Sequence, residues 1–315
     1  MKRKIVQHGP STLIISLPSQ WVKQNNIKKG DELDVKEDGA TLSIGVEASR
    51  SNYSMTQDVS KLKPYLVKQF LARAYQKGYD SIYITHNSVE LLKTIKEKTL
   101  ELIGYELVEQ NDRFCVIQSI SSHIELDFDN SLRRGFLLVK LMLEDCMQAY
   151  NDSDESILKN LSIKDLEVKR FCFFCMRQIT KSQYVAGPEI VQQSHILYTL
   201  IGILEELGSN IKTLSEHLVQ TKKKTSEVLS LLRMLHEQYG KSYAYFYKAD
   251  AEKANGEYKI YTDIENKVRE LVETKLNGLE IITMFKIKDL SHMIHQFTTM
   301  RLDFLKEHET SKQLI

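Results

Sequence analysis

The sequence predicts a multidomain α+β protein: a small strand-rich N-terminal domain, a short αβαββ segment, and a mostly α-helical remainder. Three observations carry this. Apolar and polar residues alternate at strand spacing between Ile5 and Ile44. From Leu197 onward, Leu200, Leu204, Leu207, Ile211, Leu214 and Leu218 recur three and four residues apart, the apolar seam of a packed helix. The prolines are Pro10, Pro18, Pro64 and Pro188, so proline bars nothing after residue 188 from being helix.

The opening segment reads element by element. Ile5 and Val6 suit a first strand, and Leu13, Ile15 and Leu17 alternate in a second. Pro18 ends that strand, and Ser19 is placed to cap a short helix through Trp21 and Val22 to about Asn25. Gly30 supplies a turn; Leu33 and Val35 lead to a hairpin at Asp38-Gly39, and Leu42 and Ile44 return from it. So short a segment cannot easily build a stable core alone, which predicts an intertwined homodimer with Trp21 as a core anchor. It is also basic. Lys2, Arg3, Lys4, Lys23, Lys28, Lys29 and Lys36 stand against Asp31, Glu32 and Asp34, a net +4 in a chain whose total is +1.

"KRKIVQHG", "LIISLPSQWVKQNNIKKGDELDV" and "DGATLSI" resemble the swapped-hairpin DNA-binding domain of the AbrB/SpoVT/MazE family. The resemblance implies a dimeric β-barrel over residues 1–47 that binds double-stranded DNA. The residues it points to are Lys2, Arg3, Lys4, His8, Ser11, Thr12, Gln20 and Lys23. Lysine makes point-charge contacts to phosphate more readily than bidentate readings of guanine, so salt-sensitive, shape-dependent binding is expected. The other reading of these cations is a solubilised dimerisation module.

Residues 46–60 hold little apolar periodicity and read as a linker. Pro64 opens a helix that runs to Lys77, and Gly78 breaks it. "SIYIT" (81–85) is a strand, 88–104 a helix capped by Ser88, and 105–120 a hairpin across Asn111-Asp112. This segment, 48–121 with its linker, carries no phosphate loop and no catalytic cluster.

Six helices are expected beyond it, over 122–150, 155–184, 189–219, 222–250, 257–284 and 287–310, in two three-helix units, 122–219 and 220–315. "DLEVK" (165–169) and "DIENK" (263–267) fall in the middle helix of each unit. "DLEVKRFCFFCMRQI" and "LIGILEELGSNIKTLSEHL" look like PhoU, a regulator built of two three-helix repeats. An AbrB-type domain followed by such repeats is similar to archaeal PhoU homologues. The resemblance implies phosphate homeostasis and carboxylate-bound metal clusters, with Asp165, Glu167 and Glu205 matching acids of the family pattern. Yet Lys169 and Ser209 stand where further acids are wanted, and Ser291 and His295 replace acids in the second repeat. Hard cations need oxygen ligands in number, so the clusters are expected to be lost, or reduced to one weakly held divalent or ferric ion. No other cofactor is expected.

Other constellations are ordinary. Cys172 and Cys175 lie on a helical apolar face and read as buried structural thiols. His292 and His295, one turn apart, read as helix-surface residues. "NDSDES" (151–156) lacks the glycine and closing glutamate of a calcium loop and reads as an interhelical connection. No hydrolase triad, zincin or P-loop motif occurs, which argues against an enzyme. Four cysteines, no signal-peptide pattern and no long apolar run lead to the expectation of a cytoplasmic protein, not membrane-inserted. The functional expectation is a homodimeric DNA-binding regulator of phosphate uptake. The alternatives are an adaptor without DNA binding, its bundles engaging a phosphate transporter or sensor, and an antitoxin-like regulator.

Overall fold

The computed structural model describes residues 3–10, 12–38, 41–46, 53–120, 127–152, 156–183, 188–220, 224–273 and 278–302. Lys2, Ser11, Gly39 and residues 153–155 of the "NDSDES" stretch lie outside these. The chain divides into two compact units, residues 1–53 and 54–315.

In the first unit, β1 (Ile5–His8) pairs antiparallel with β2 (Thr12–Ile15), so that Ile5 faces Ile15 and His8 faces Thr12. Gly9 takes the left-handed conformation at the turn, φ +79°, which a residue without Cβ adopts freely. Helix α1 (Ser19–Gln24) follows, and β3 (Leu33–Asp38) and β4 (Thr41–Val46) form a second antiparallel hairpin. The expected capping by Ser19 is not what occurs. Pro18 is the N-cap residue, with no side-chain cap bond, and its carbonyl accepts Val22 N–H at 3.0 Å.

The second unit begins with a correction. Ser54–Asp58, expected within a linker, is strand β5, parallel to β6 (Ser81–Thr85). It is an edge strand whose side chains alternate between exposed and half-buried, so backbone pairing holds it without an apolar run. Helix α2 (Pro64–Gln76) crosses over to β6, helix α3 (Val89–Leu100) leads to β7 (Tyr105–Gln110), and β8 (Phe114–Ser119) closes the sheet in the order β5-β6-β8-β7. Ser88 caps α3 as expected, its hydroxyl accepting Leu91 N–H at 3.2 Å. The segment is therefore βαβαββ rather than αβαββ.

Helices α4 (Phe128–Asp152), α5 (Ser156–Gln183) and α6 (Pro188–Gln220) form one three-helix bundle; α7 (Ser226–Tyr247), α8 (Ala251–Val272) and α9 (Gly278–Thr299) form another. The last two begin earlier than the expected 257 and 287. Asp250 caps α8 by accepting Lys253 N–H at 2.8 Å, and Gly278 is the first residue of α9. Apolar spacing alone had hidden the Asp250 cap. The leucine seam of α6 is buried from Leu200 to Leu218. The bundles pack α4 on α7 and α6 on α9, and Phe136 of α4 sits among Tyr239, Tyr243, Phe246, Tyr247 and Phe297.

A buried side chain of α5 reaches into the small sheet's segment, where Lys181 of the same helix also pairs with Asp80. Arg177 donates to the carbonyls of Tyr75 at 3.0 Å and Tyr79 at 2.7 Å, and pairs with Asp80 at 2.9 Å. Its guanidinium also lies 5.0 Å from the ring centroids of both Tyr75 and Tyr105. Burial pushes the Tyr105 phenol up to about 12, against the pull of that guanidinium.

Candidate nucleic-acid interface

The β1–β2 hairpin spreads its polar candidates between two ends. Arg3 and Lys4 run into β1 at the open end, where Ile5 faces Ile15, while His8 and Thr12 face each other beside the turn. Helix α1 starts four residues after Ile15, and so follows the open end; it carries Gln20 and Lys23. Arg3, Lys4, His8, Thr12, Gln20 and Lys23 are all exposed. Lys28 and Lys29 extend the basic surface in the next turn, which is closed by Asp31 accepting Lys28 N–H at 2.6 Å.

The apolar side chains of this unit are uncovered as well. On one face of the hairpin Ile5 is 67% exposed, Leu13 67% and Ile15 50%; on the other, Val6 is 55% and Ile14 46%. Val35 and Leu42 of the second hairpin are 58% and 63% exposed, and Trp21 is only half-buried. An isolated two-stranded hairpin is marginally stable in water, and apolar residues on both faces call for a covering layer on each side.

The acids expected to offer a metal site are not gathered for one. Asp165 on α5 is buried and already paired: Lys169 Nζ lies 2.7 Å from Oδ2, Lys212 Nζ 3.9 Å away, and Ser209 Oγ donates to Oδ1 at 3.0 Å. Glu167, two residues on, turns instead toward Arg134 at 3.9 Å. Burial raises the Glu205 carboxyl above its ordinary value, with Lys169 opposing and Asp165 reinforcing the rise. Among the described residues no three His, Cys, Asp or Glu side chains are grouped to hold a metal ion. An ammonium occupies the place a cation would take beside Asp165.

The second bundle holds a polar cluster that sequence reasoning missed. Glu257 of α8 is fully buried; Gln238 Nε2 of α7 donates to it at 2.7 Å, and His295 Nδ1 of α9 lies 2.8 Å from its other oxygen. Ser291 Oγ in turn donates to Gln238 Oε1 at 2.7 Å. His295 stacks on Tyr261 with centroids 4.3 Å apart, so it is no simple surface histidine. The sequence showed its spacing from His292 and its place, with Ser291, where the family pattern has acids, but not its partners on α7 and α8. Cys172 and Cys175 are buried as expected, and burial pushes the Cys175 thiol up to about 12.

Residues 6–44 match the family model for antidote-toxin recognition MazE, bacterial antitoxin, so the N-terminal cassette is of MazE/AbrB type. No curated protein matches the chain. Among solved structures, the phosphate transport system regulatory protein PhoU from Streptococcus pneumoniae aligns over 59% of this chain and 100% of its own, at 11% identity and a TM-score of 0.48. Among the described residues no helix is long and apolar enough to cross a membrane.

Proposed function

We propose that this protein is a homodimeric regulator that binds double-stranded DNA through its N-terminal unit. The observation that carries the reading is the hairpin over which the MazE match runs: its cations are exposed, and its apolar residues are uncovered on both faces. A second copy supplies the missing layer and doubles the basic surface, since homodimers pair identical patches about a twofold axis. Arg3, Lys4 and Lys23, with Lys2, contact phosphates; Gln20, His8, Ser11 and Thr12 are the polar side chains left for groove contacts. The finer assignment, to operators of phosphate-uptake genes, rests on the resemblance of the helical half to PhoU repeats.

Fluorescence anisotropy against salt tests the DNA claim. Binding should weaken steeply with salt, and each of Arg3→Ala, Lys4→Ala and Lys23→Ala, which removes one phosphate contact from each protomer, should reduce the log–log slope by about 2. Binding with a flat salt dependence, or no binding by the dimer, would leave the adaptor. Crosslinking immunoprecipitation in phosphate-rich and phosphate-starved cells tests the finer claim; peaks away from phosphate-transport genes would remove it. A second reading follows from the family description itself, toxin neutralisation. Co-purification of a stoichiometric toxin-sized protein that releases the DNA would favour it.

A further inference from the structure

A cavity of about 300 Å³ opens where the small sheet meets the first bundle, lined by Ile103, Arg134, Glu167, Arg170 and Phe171. Its volume is at the lower end of the range for small-molecule sites, roughly 300–1,000 Å³. Glu167, Arg170 and Phe171 are spaced three and four residues apart on α5, hence on one face of that helix; Arg134 comes from α4 and Ile103 from the loop after α3. The loop is held in place, because Ile103 O accepts the Tyr75 hydroxyl at 2.8 Å.

The polar groups of this cavity are under-used. Among the described residues no carboxylate pairs with Arg170, and Arg134 stands 3.9 Å from Glu167, longer than a hydrogen bond. Arg170 is therefore open to an anion, and Arg134 and Glu167, held only by a long ion pair, keep hydrogen-bonding capacity for a ligand. Phe171 offers a ring and Ile103 an aliphatic wall for a flat body. Arginine forks match phosphate oxygens in pairs, and aromatic rings stack on bases. We propose that this cavity binds a nucleoside monophosphate with an amino-bearing base, Arg134 and Arg170 taking the phosphate, Phe171 the base, and Glu167 its exocyclic amine. Such a ligand touches both the sheet and the bundle, and so stiffens their joint. The proposal does not depend on DNA binding by the N-terminal unit.

Isothermal titration calorimetry of the full chain with AMP, free of divalent metal, tests it. One saturable site per chain is expected, and inorganic phosphate should bind at least tenfold more weakly because it lacks the stacked body. Arg170→Gln should weaken AMP about tenfold, and Arg170→Lys, which keeps charge but loses the fork, several-fold. Arg170 is exposed, so circular dichroism should report an unchanged fold for both variants. Glu167→Gln should weaken AMP and CMP while sparing UMP. No saturable heat at millimolar AMP, wild-type affinity in Arg170→Gln, or phosphate binding as tightly as AMP would each overturn the site. Equal affinity for AMP and UMP would overturn the role given to Glu167.

Discussion

The first bundle buries Asp165 and the second buries Glu257, and these two carboxylates are held in opposite ways. Asp165 in the first is neutralised by an ammonium from its own helix, Lys169 one turn away, which is itself 27% exposed along its side chain. Glu257 in the second has no lysine or arginine within ion-pair distance among the described residues; side chains from the two neighbouring helices, Gln238 and His295, supply its hydrogen bonds. The first has its charge partner on its own helix, where it can reach water, and adds one hydrogen bond from Ser209 of α6. The second ties three helices together around a carboxylate that is closed to solvent, and Gln238 Nε2 has one further acceptor there, Ser291 O at 3.0 Å. In a low-dielectric interior an unpaired polar group is expensive, whereas a partly exposed ammonium that loses its acid is rehydrated.

The largest effect should therefore come from Glu257→Ala. It removes the common acceptor of Gln238 Nε2 and His295 Nδ1 and leaves a hole where α7, α8 and α9 meet. A loss of about 3 kcal/mol, at the low end for breaking a buried charge network, is expected in urea unfolding of the full chain. A loss below about 1 kcal/mol would mean that water reaches the cluster, and the contrast with Asp165 would collapse.

Asp165→Asn should cost less, about 1 kcal/mol, because Ser209 Oγ can still donate to the amide oxygen while Lys169 turns toward solvent. The two unfolding curves sharpen the comparison directly. Should Asp165→Asn prove the more damaging, Lys212 at 3.9 Å must contribute more than its distance suggests.

The same contrast explains what could be read from the sequence. The pair Asp165–Lys169 is spaced at i, i+4 and visible to anyone who places α5 correctly. Ser291 and His295 share α9, but the hydrogen bonds that join them to Gln238 and Glu257 span 19 to 53 residues and three helices, so no local pattern shows the cluster. The fold shows the same division. The α6 seam, the Ser88 cap and the strand–helix–turn order of the first unit are short-range features, and the structure has them. Strand β5 needs β6, 27 residues later, to be a strand at all, since "SMTQD" has no apolar alternation of its own. The N-terminal cassette was legible because its chemistry is written along one short stretch; the cavity between sheet and bundle was not, because Ile103, Arg134 and Phe171 meet only after folding.

The smallest effect is expected at Glu205, and its sign depends on pH. Burial raises this carboxyl above its ordinary value, so between that value and the raised one the native state holds more protons than the unfolded chain. Stability then falls as pH rises through that interval, and at neutral pH the Glu205 charge weakens the fold. Glu205→Gln should raise the melting temperature at pH 7 by at most a few degrees, and the gain should vanish in acid, where wild-type Glu205 is also neutral. In an Asp165→Asn background the gain should shrink. That variant removes one charge that disfavours ionised Glu205 and frees Lys169, which favours it. An undiminished gain would mean that Glu205 is governed by burial alone, and that the ammonium of the first bundle belongs to Asp165 without being shared.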